Sequence, residues 1–259
     1  MLYRRSENFD RLLSAVKEKA PLVVALSGGV DSSVVAKVAF LASKKSIAVT
    51  VIDPTVSKKE VRAAREIARR IGIKHRLVRR KLSSEIKRNN ALRCYYCKKG
   101  IIKILKKVAK EEGVKTIADG SNKDDLADFR MGLKACREEG VYSPLLELGF
   151  GKKEVRELAR EMGLPNYEKP SEACLSSRVM KQRINKRILK RIEKAEQFVR
   201  ELSGASVVRV RDYGETARIE VDKPHIASLI KKAERINKEL NKLGYRYVTV
   251  DLGGYRVGG

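Results

Sequence analysis

Ser27-Gly28-Gly29-Val30-Asp31-Ser32-Ser33 sets two glycines, one carboxylate and three hydroxyls within seven residues. Glycines let a backbone approach a ligand closely. Where such a run opens a helix, free N–H groups and the helix dipole favour an anion. The chemistry this predicts is the cradling of a phosphate. The Gly-Lys-Ser/Thr ending of a Walker A loop is missing, and so is the G-x-G-x-x-G spacing of a dinucleotide fingerprint. Without the lysine that grips the terminal phosphates, γ-phosphoryl transfer is disfavoured.

A second constellation is built on sulfur. Asn90-Ala91-Leu92-Arg93-Cys94-Tyr95-Tyr96-Cys97-Lys98-Lys99-Gly100 places two cysteines three positions apart. At a helix start they share one face near the positive dipole end, beside Arg93, Lys98 and Lys99, a setting that suits thiolate chemistry. Cys174 lies in the polar stretch Pro170-Ser171-Glu172-Ala173-Cys174-Leu175-Ser176-Ser177-Arg178, at the expected junction of two domains. Clefts between domains are common active sites. Cys136 sits inside a helical pattern and reads as a packing residue.

Three readings of the other three cysteines stay open. A structural zinc needs four ligands, and the chain offers only His75, His225 or Cys136 as a fourth, none suitably spaced. A dithiol–disulfide pair leaves Cys174 without a role unless it is a separate nucleophile. A [4Fe–4S] cluster on three cysteines leaves one iron open to carry sulfide.

These groups need elements to position them. The first ~170 residues alternate short β-type runs with helical patterns, the α/β signature. Strands are expected at 22–26, 47–52, 75–78 and 116–119, the first two apolar throughout as in a sheet buried on both faces. Helices are expected at 31–42, 58–71, 94–112 and 152–162, the last three closed by Gly72, Gly113 and Gly163. The pattern then changes to a basic helix at 183–202, paired strands at 207–211 and 217–221 about a turn at Tyr213-Gly214-Glu215, a helix at 225–243 and a strand at 245–252. The expectation is an α/β domain at 1–177 with a parallel sheet, and a smaller α+β domain at 178–259.

Charge is the outlier of the composition. Lys plus Arg is 58 against 32 Asp plus Glu, a net +26, and 42% of residues are hydrophobic. Such a field attracts polyanions, nucleotides and RNA among them; a charged fraction of 35% also fits a heat-adapted surface. No apolar run reaches the ~20 residues of a membrane span. The start, Met1-Leu2-Tyr3-Arg4-Arg5-Ser6-Glu7, lacks the apolar core of a signal peptide. A cytoplasmic protein with reduced thiols is expected.

The serine–glycine run resembles the PP-loop of the ATP pyrophosphatase superfamily, whose members bind the pyrophosphate part of ATP and transfer AMP to a substrate oxygen. That resemblance implies ATP contacts at Ser27, Gly28, Gly29, Asp31, Ser32 and Ser33, with Asp31 helping to hold Mg²⁺. Further stretches resemble the LarE-type sulfur transferases: Gly120-Ser121-Asn122-Lys123-Asp124-Asp125-Leu126-Ala127-Asp128-Phe129-Arg130, residues 170–178, Arg209-Val210-Arg211 with Ala217-Arg218-Ile219-Glu220-Val221, and Asp251-Leu252-Gly253-Gly254-Tyr255-Arg256. They occur in the right order over nearly the whole chain.

The resemblance implies a sulfur transferase that thiolates the carboxylates of pyridinium biscarboxylic acid mononucleotide on the route to the nickel-pincer nucleotide. Some members sacrifice one cysteine; others hold a sulfide-carrying [4Fe–4S] cluster on three, which here means Cys94, Cys97 and Cys174. Gly120, Asn122 and Asp125 are expected at the nucleotide. Asp124, Asp125 and Asp128 could serve nucleotide or metal, or cap the next helix. Arg209 and Arg211, two apart on a strand, point to one face and could hold the substrate phosphate. Glu220 could orient a base or hold an arginine, and Arg178 could contact a phosphate; surface charge is the plainer reading of Arg178.

Expected partners are a small-molecule nucleotide substrate, sulfide or a sulfur-donor protein, and a second copy of the chain. The main rival is a tRNA thiolase, for which residues 181–194 hold seven Lys/Arg against one Glu. Against it stand the lack of an appended RNA-binding domain and an aromatic content of 5%. A non-catalytic iron–sulfur or nucleotide carrier is a third reading.

Overall fold

The computed structural model describes residues 6–126, 131–170 and 172–256. They form two compact units: residues up to Lys81 with Ala91–Glu172, and Leu82–Asn90 with Ala173 onward. The sequence suggests a boundary near 178; the division falls between 172 and 173, and the segment 82–90 joins the second unit. Backbone bonding explains the transfer. Ile184 N donates to the Lys87 carbonyl at 2.9 Å. Asn89 Nδ2 donates to the carbonyls of Val179 (2.9 Å) and Gln182 (3.0 Å).

In the first unit four parallel strands, β1 (Leu22–Ala25), β2 (Ile47–Ile52), β3 (Lys74–Arg79) and β4 (Thr116–Ala118), stand in the order β3-β2-β1-β4. This is the parallel α/β sheet the sequence predicts. Side chains alternate across it. Leu22 and Val24 face a core shared with helices Glu7–Lys19, Val30–Ala42 and Lys58–Ile71. Val23, Ile47, Val49 and Ile117 face helix Arg93–Glu111. Both faces are covered, which is why β1 and β2 read as unbroken apolar runs.

The order reverses direction at β1: the chain leaves it for β2 and β3, then crosses to β4 on its other side. In open α/β sheets such a switch point opens a crevice at the carboxyl ends of the strands. The 27–33 run leaves β1 there, and residues 119–122 leave β4 beside it.

Local signals fixed several helix ends. Ser57 and Glu60 close a reciprocal capping box, and Gly72 ends the same helix with φ 81°. Helix Glu7–Lys19, capped by Ser6, and the short helix Pro144–Glu147 are elements the sequence reading does not anticipate.

The second unit carries β5 (Val208–Asp212), β6 (Thr216–Val221) and β7 (Tyr247–Val250). β6 lies between an antiparallel β5 and a parallel β7. Helix Lys186–Ser203, with Asn185 as its N-cap and Gly204 as its C-cap, packs Ala195 and Val199 onto Val208, Val210 and Ile219. The helix expected at 225–243 is in two pieces, Ile226–Lys231 and Ala233–Lys242, after a 3-10 turn. The break falls at Lys232, whose Nζ donates to the Leu202 carbonyl at 2.6 Å, a tertiary contact that periodicity does not encode.

Ile219 is fully buried on the central strand of this sheet. Ile219→Ala should therefore cost about 2–5 kcal/mol and Ile219→Val about 0.5–1.5, read from urea midpoints at unchanged slope.

Candidate active site

Strand β1 ends at Ala25, and helix Val30–Ala42 begins after Gly29. The hydroxyls of the loop between them bond inward. Ser32 Oγ accepts from Ser27 N at 3.2 Å and donates to the Gly29 carbonyl at 3.1 Å. Ser33 Oγ donates to the same carbonyl at 2.7 Å. Gly28 has φ 80°, and a Cβ there would lie 2.7 Å from Ala64 N of helix Lys58–Ile71. A Cβ on Gly120 would lie 2.6 Å from Ser32 N. Both glycines are thus required for close packing around the loop, the second joining the end of β4 to the helix start.

Asn122, fully buried, donates through Nδ2 to Asp31 Oδ1 at 3.2 Å. Asp125 accepts from Asn122 N at 3.1 Å and so fixes that turn. Asp124 accepts from Lys152 N at 2.7 Å. Lys152 Nζ pairs with Asp31 Oδ2, an ion pair across 121 positions. Asn166 Nδ2 donates to Ser33 Oγ at 3.0 Å, and Lys169 Nζ to the Gly28 carbonyl at 3.1 Å. Among the described residues Asn166 Oδ1 is buried without a hydrogen-bond partner, an open acceptor beside the cradle. Asp128 lies outside the described residues.

Asp119 comes directly after β4. Its carboxylate accepts from Lys98 Nζ (3.0 Å), Ser143 Oγ (2.8 Å), Ser121 N (3.1 Å) and Ser121 Oγ (2.9 Å). Burial pushes the Asp119 carboxyl up; Lys98 and these donors outweigh it and hold it at about 2. Cys136 touches the same carboxylate and is pushed up to about 12, chiefly by burial. A thiol held so far above neutrality is inert, as its reading as a packing residue requires.

Cys94 is exposed and Cys97 half-buried on helix Arg93–Glu111. Arg80, at the end of β3, donates to Cys97 Sγ at 2.9 Å and to the Cys97 carbonyl at 2.8 Å. Its Nε reaches Asp53 Oδ2 at 2.8 Å, and Thr55 fixes the other Asp53 oxygen. Burial works against the Arg80 charge, yet Cys97 and Asp53 hold its guanidinium above its ordinary value. A Cβ on Gly100 would lie 2.7 Å from Arg80 Nη1, so glycine leaves room for the guanidinium.

In the second unit, Cys174 Sγ lies 2.8 Å from Ser176 Oγ. Arg178 is 2% exposed, not the surface charge that is its plainer reading. It pairs with Glu196 at 2.9 Å and donates to the Cys174 carbonyl at 2.9 Å, so it holds the cysteine's loop. Arg211 pairs with Glu220 at 2.9 Å and donates to the Ser177 carbonyl at 3.1 Å, while Arg218 takes the other Glu220 oxygen. Arg209 is buried, with its guanidinium 5.2 Å from the Tyr255 ring centroid. Cys174, Arg178, Arg211 and Glu220 are therefore gathered in one unit; Cys94 and Cys97 belong to the other. Among the described residues, no group of three or more His, Cys, Asp or Glu is placed to hold a metal ion.

Sequence reasoning missed Lys152, Asn166, Asp119, Arg80 and Asp53. Each bonds a partner far away in the chain, and the sequence reading took Asp119 only as the last residue of a strand.

A parallel sheet with a serine–glycine loop at its switch point defines a PP-loop ATP-binding protein. The asparagine synthase family matches residues 10–87. Over 95% of its length the chain is 35% identical to the pyridinium-3,5-bisthiocarboxylic acid mononucleotide synthase of Lactiplantibacillus plantarum, covering 91% of that protein. It is 37% identical over its whole length to an uncharacterised protein of Synechocystis sp. (97% covered), and 31% identical to one of Methanocaldococcus jannaschii (96% covered). The chain belongs to the LarE-type family of PP-loop ATP-dependent sulfur transferases. No helix among the described residues is long and apolar enough to cross a membrane.

This geometry makes two outcomes expected. Gly28→Ala adds a left-handed strain of about 1–2 kcal/mol to a backbone clash and should weaken ATP binding at least tenfold by calorimetry. Asp119 has a depressed folded-state pKa, so its stabilisation is complete above the ordinary carboxylate range, near ~4, and is lost as pH falls toward about 2. Asp119→Asn should flatten that acid limb of the stability curve, measured by denaturant melts from neutral to acid pH.

Proposed function

We propose that this enzyme thiolates a carboxylate of pyridinium biscarboxylic acid mononucleotide at the expense of ATP. The observation that carries this is the identity spanning 95% of the chain with a synthase named for the bisthiocarboxylic product. A carboxylate is a poor acyl donor, so it must first acquire a leaving group. Its oxygen attacks the α-phosphorus of ATP, the α–β bond breaks and pyrophosphate leaves. A sulfur nucleophile then attacks the acyl carbon, and AMP departs with the oxygen that came from the carboxylate. The thiocarboxylate remains.

The residues suit these steps. The loop N–H groups at the start of helix Val30–Ala42 receive the pyrophosphate. Asp31 would hold Mg²⁺ in place of Lys152, and Lys152, released, would face the phosphates. Gly120, Asn122 and Asp125 shape the neighbouring wall. Arg209 and Arg211, with Glu220, form the substrate end, where fork-type hydrogen bonds suit a nucleotide phosphate. Arg178 positions Cys174 through its carbonyl.

The sulfur source is a finer part of the proposal. Cys94, Cys97 and Cys174 would hold a [4Fe–4S] cluster, which when bound supplies transferable sulfide. The support is the count and kind of thiol; two come from one helix and the third from the other unit.

Anaerobically reconstituted protein given ATP, sulfide and the mononucleotide should release AMP and pyrophosphate and yield a product in which oxygen is exchanged for sulfur by mass. Release of ATP's γ-phosphate instead, or an unaltered mononucleotide, rules the proposal out. Cys97→Ser should lower bound iron below wild type; a well-folded wild type that takes up no iron removes the cluster alone.

A further inference from the structure

One face of the second unit has no part in this chemistry. Lys181, Arg183, Lys186, Arg187, Lys190 and Lys194 are all exposed. Four of them run along helix Lys186–Ser203, where Lys186, Lys190 and Lys194 repeat every turn, about 6 Å apart. The hydrophobic side of this helix, including Leu189 and Ile192, is buried, so the charged stripe faces outward. The segment 82–90 adds exposed Lys87 and Arg88, because Ile184 N bonds the Lys87 carbonyl at 2.9 Å. Asn89 and Lys181, the two non-glycine residues with left-handed φ among those described, lie at this junction. Such backbone is held only where surrounding bonds over-determine it. Here Asn89 does so through the Val179 and Gln182 carbonyls.

Part of the surface charge elsewhere is paired: Glu66 takes Arg69 and Arg70, Glu112 takes Lys74 and Arg76, and Glu139 takes Lys99 and Lys106. Among the described residues, none of Lys186, Arg187, Lys190 and Lys194 is in an ion pair, whereas Arg191, which turns inward, pairs with Asp212. Residues 82–90 and 181–194 contain no aromatic residue. Protein partners favour faces rich in aromatics and poor in lysine, and single strands need stacking platforms. A cationic stripe without either suits a duplex backbone, and A-form RNA is recognised mainly through its shape and phosphates.

We propose that this face docks on the phosphate backbone of folded RNA, as a partner and not as the acceptor of sulfur. Along the helix, Lys186 to Lys194 spans about 12 Å, which matches about four phosphates of one strand.

The test uses the full chain and a fluorescein-labelled RNA hairpin of mixed sequence, with anisotropy followed against salt. The expected slope of log affinity against log salt is about −4. Replacing Lys186, Lys190 and Lys194 together by Gln should reduce that slope by about 3. Replacing Lys17, Lys103 and Lys110, exposed lysines of the first unit, removes the same charge and should leave it nearly unchanged. The proposal is overturned by no binding at low salt or by equal loss in the two triple variants. It is also overturned by equal binding of a DNA hairpin, by competition from polyglutamate as strong as from unlabelled RNA, or by thiolated nucleosides in RNA incubated with ATP and sulfide.

Discussion

The close approach of two strand ends governs the architecture of the first unit. β1 and β4 are neighbours, and the loops leaving them must fit into one crevice. Gly120 permits this, since any side chain there would meet the backbone of Asp31 and Ser32. Gly28 does the same on the other flank against helix Lys58–Ile71. With the backbones so close, Asn122 reaches Asp31, and the serine hydroxyls bond within the loop. The shape of the loop proposed to cradle phosphate is thus set by the protein's own contacts. Preorganisation of this kind lets binding energy go to the ligand, not to ordering the protein.

Within each unit, buried charges are paired. Asp119 meets Lys98, Asp53 meets Arg80, Arg178 meets Glu196, and Arg211 meets Glu220. Replacing such pairs by apolar residues is often neutral or stabilising, so net stability is a weak reason for their presence. Their common effect is positional. Arg80 aims the Cys97 end of one helix, Arg178 holds the Cys174 loop, and Arg211 ties that loop to β5 through the Ser177 carbonyl. Removing one partner would leave an uncompensated charge and release the backbone that it holds.

The strand-to-helix setting of the 27–33 run was legible because its signals are local: the hydroxyls, glycines and acid lie within seven residues. The parallel sheet was legible for a similar reason, through continuous apolar runs and the cap at Ser57 and Glu60. What escaped was set by tertiary contact. Lys152 finds Asp31 from 121 positions away, and Arg80 finds Cys97 from 17. Arg178 is one of many arginines in a +26 chain, and nothing in its neighbours in sequence says that Glu196 buries it. The helix broken at Lys232 and the grouping of 82–90 with the second unit likewise involve hydrogen bonds between residues far apart in the chain.

The central claim is that a substrate carboxylate becomes an acyl adenylate before sulfur enters. Heavy-oxygen labelling of the substrate carboxylates tests it most directly. After one turnover with ATP and sulfide, one labelled oxygen should appear in the phosphate of AMP, and none in pyrophosphate. Unlabelled AMP beside a thiolated product would contradict the account, because sulfur would then have entered without adenylylation of the carboxylate.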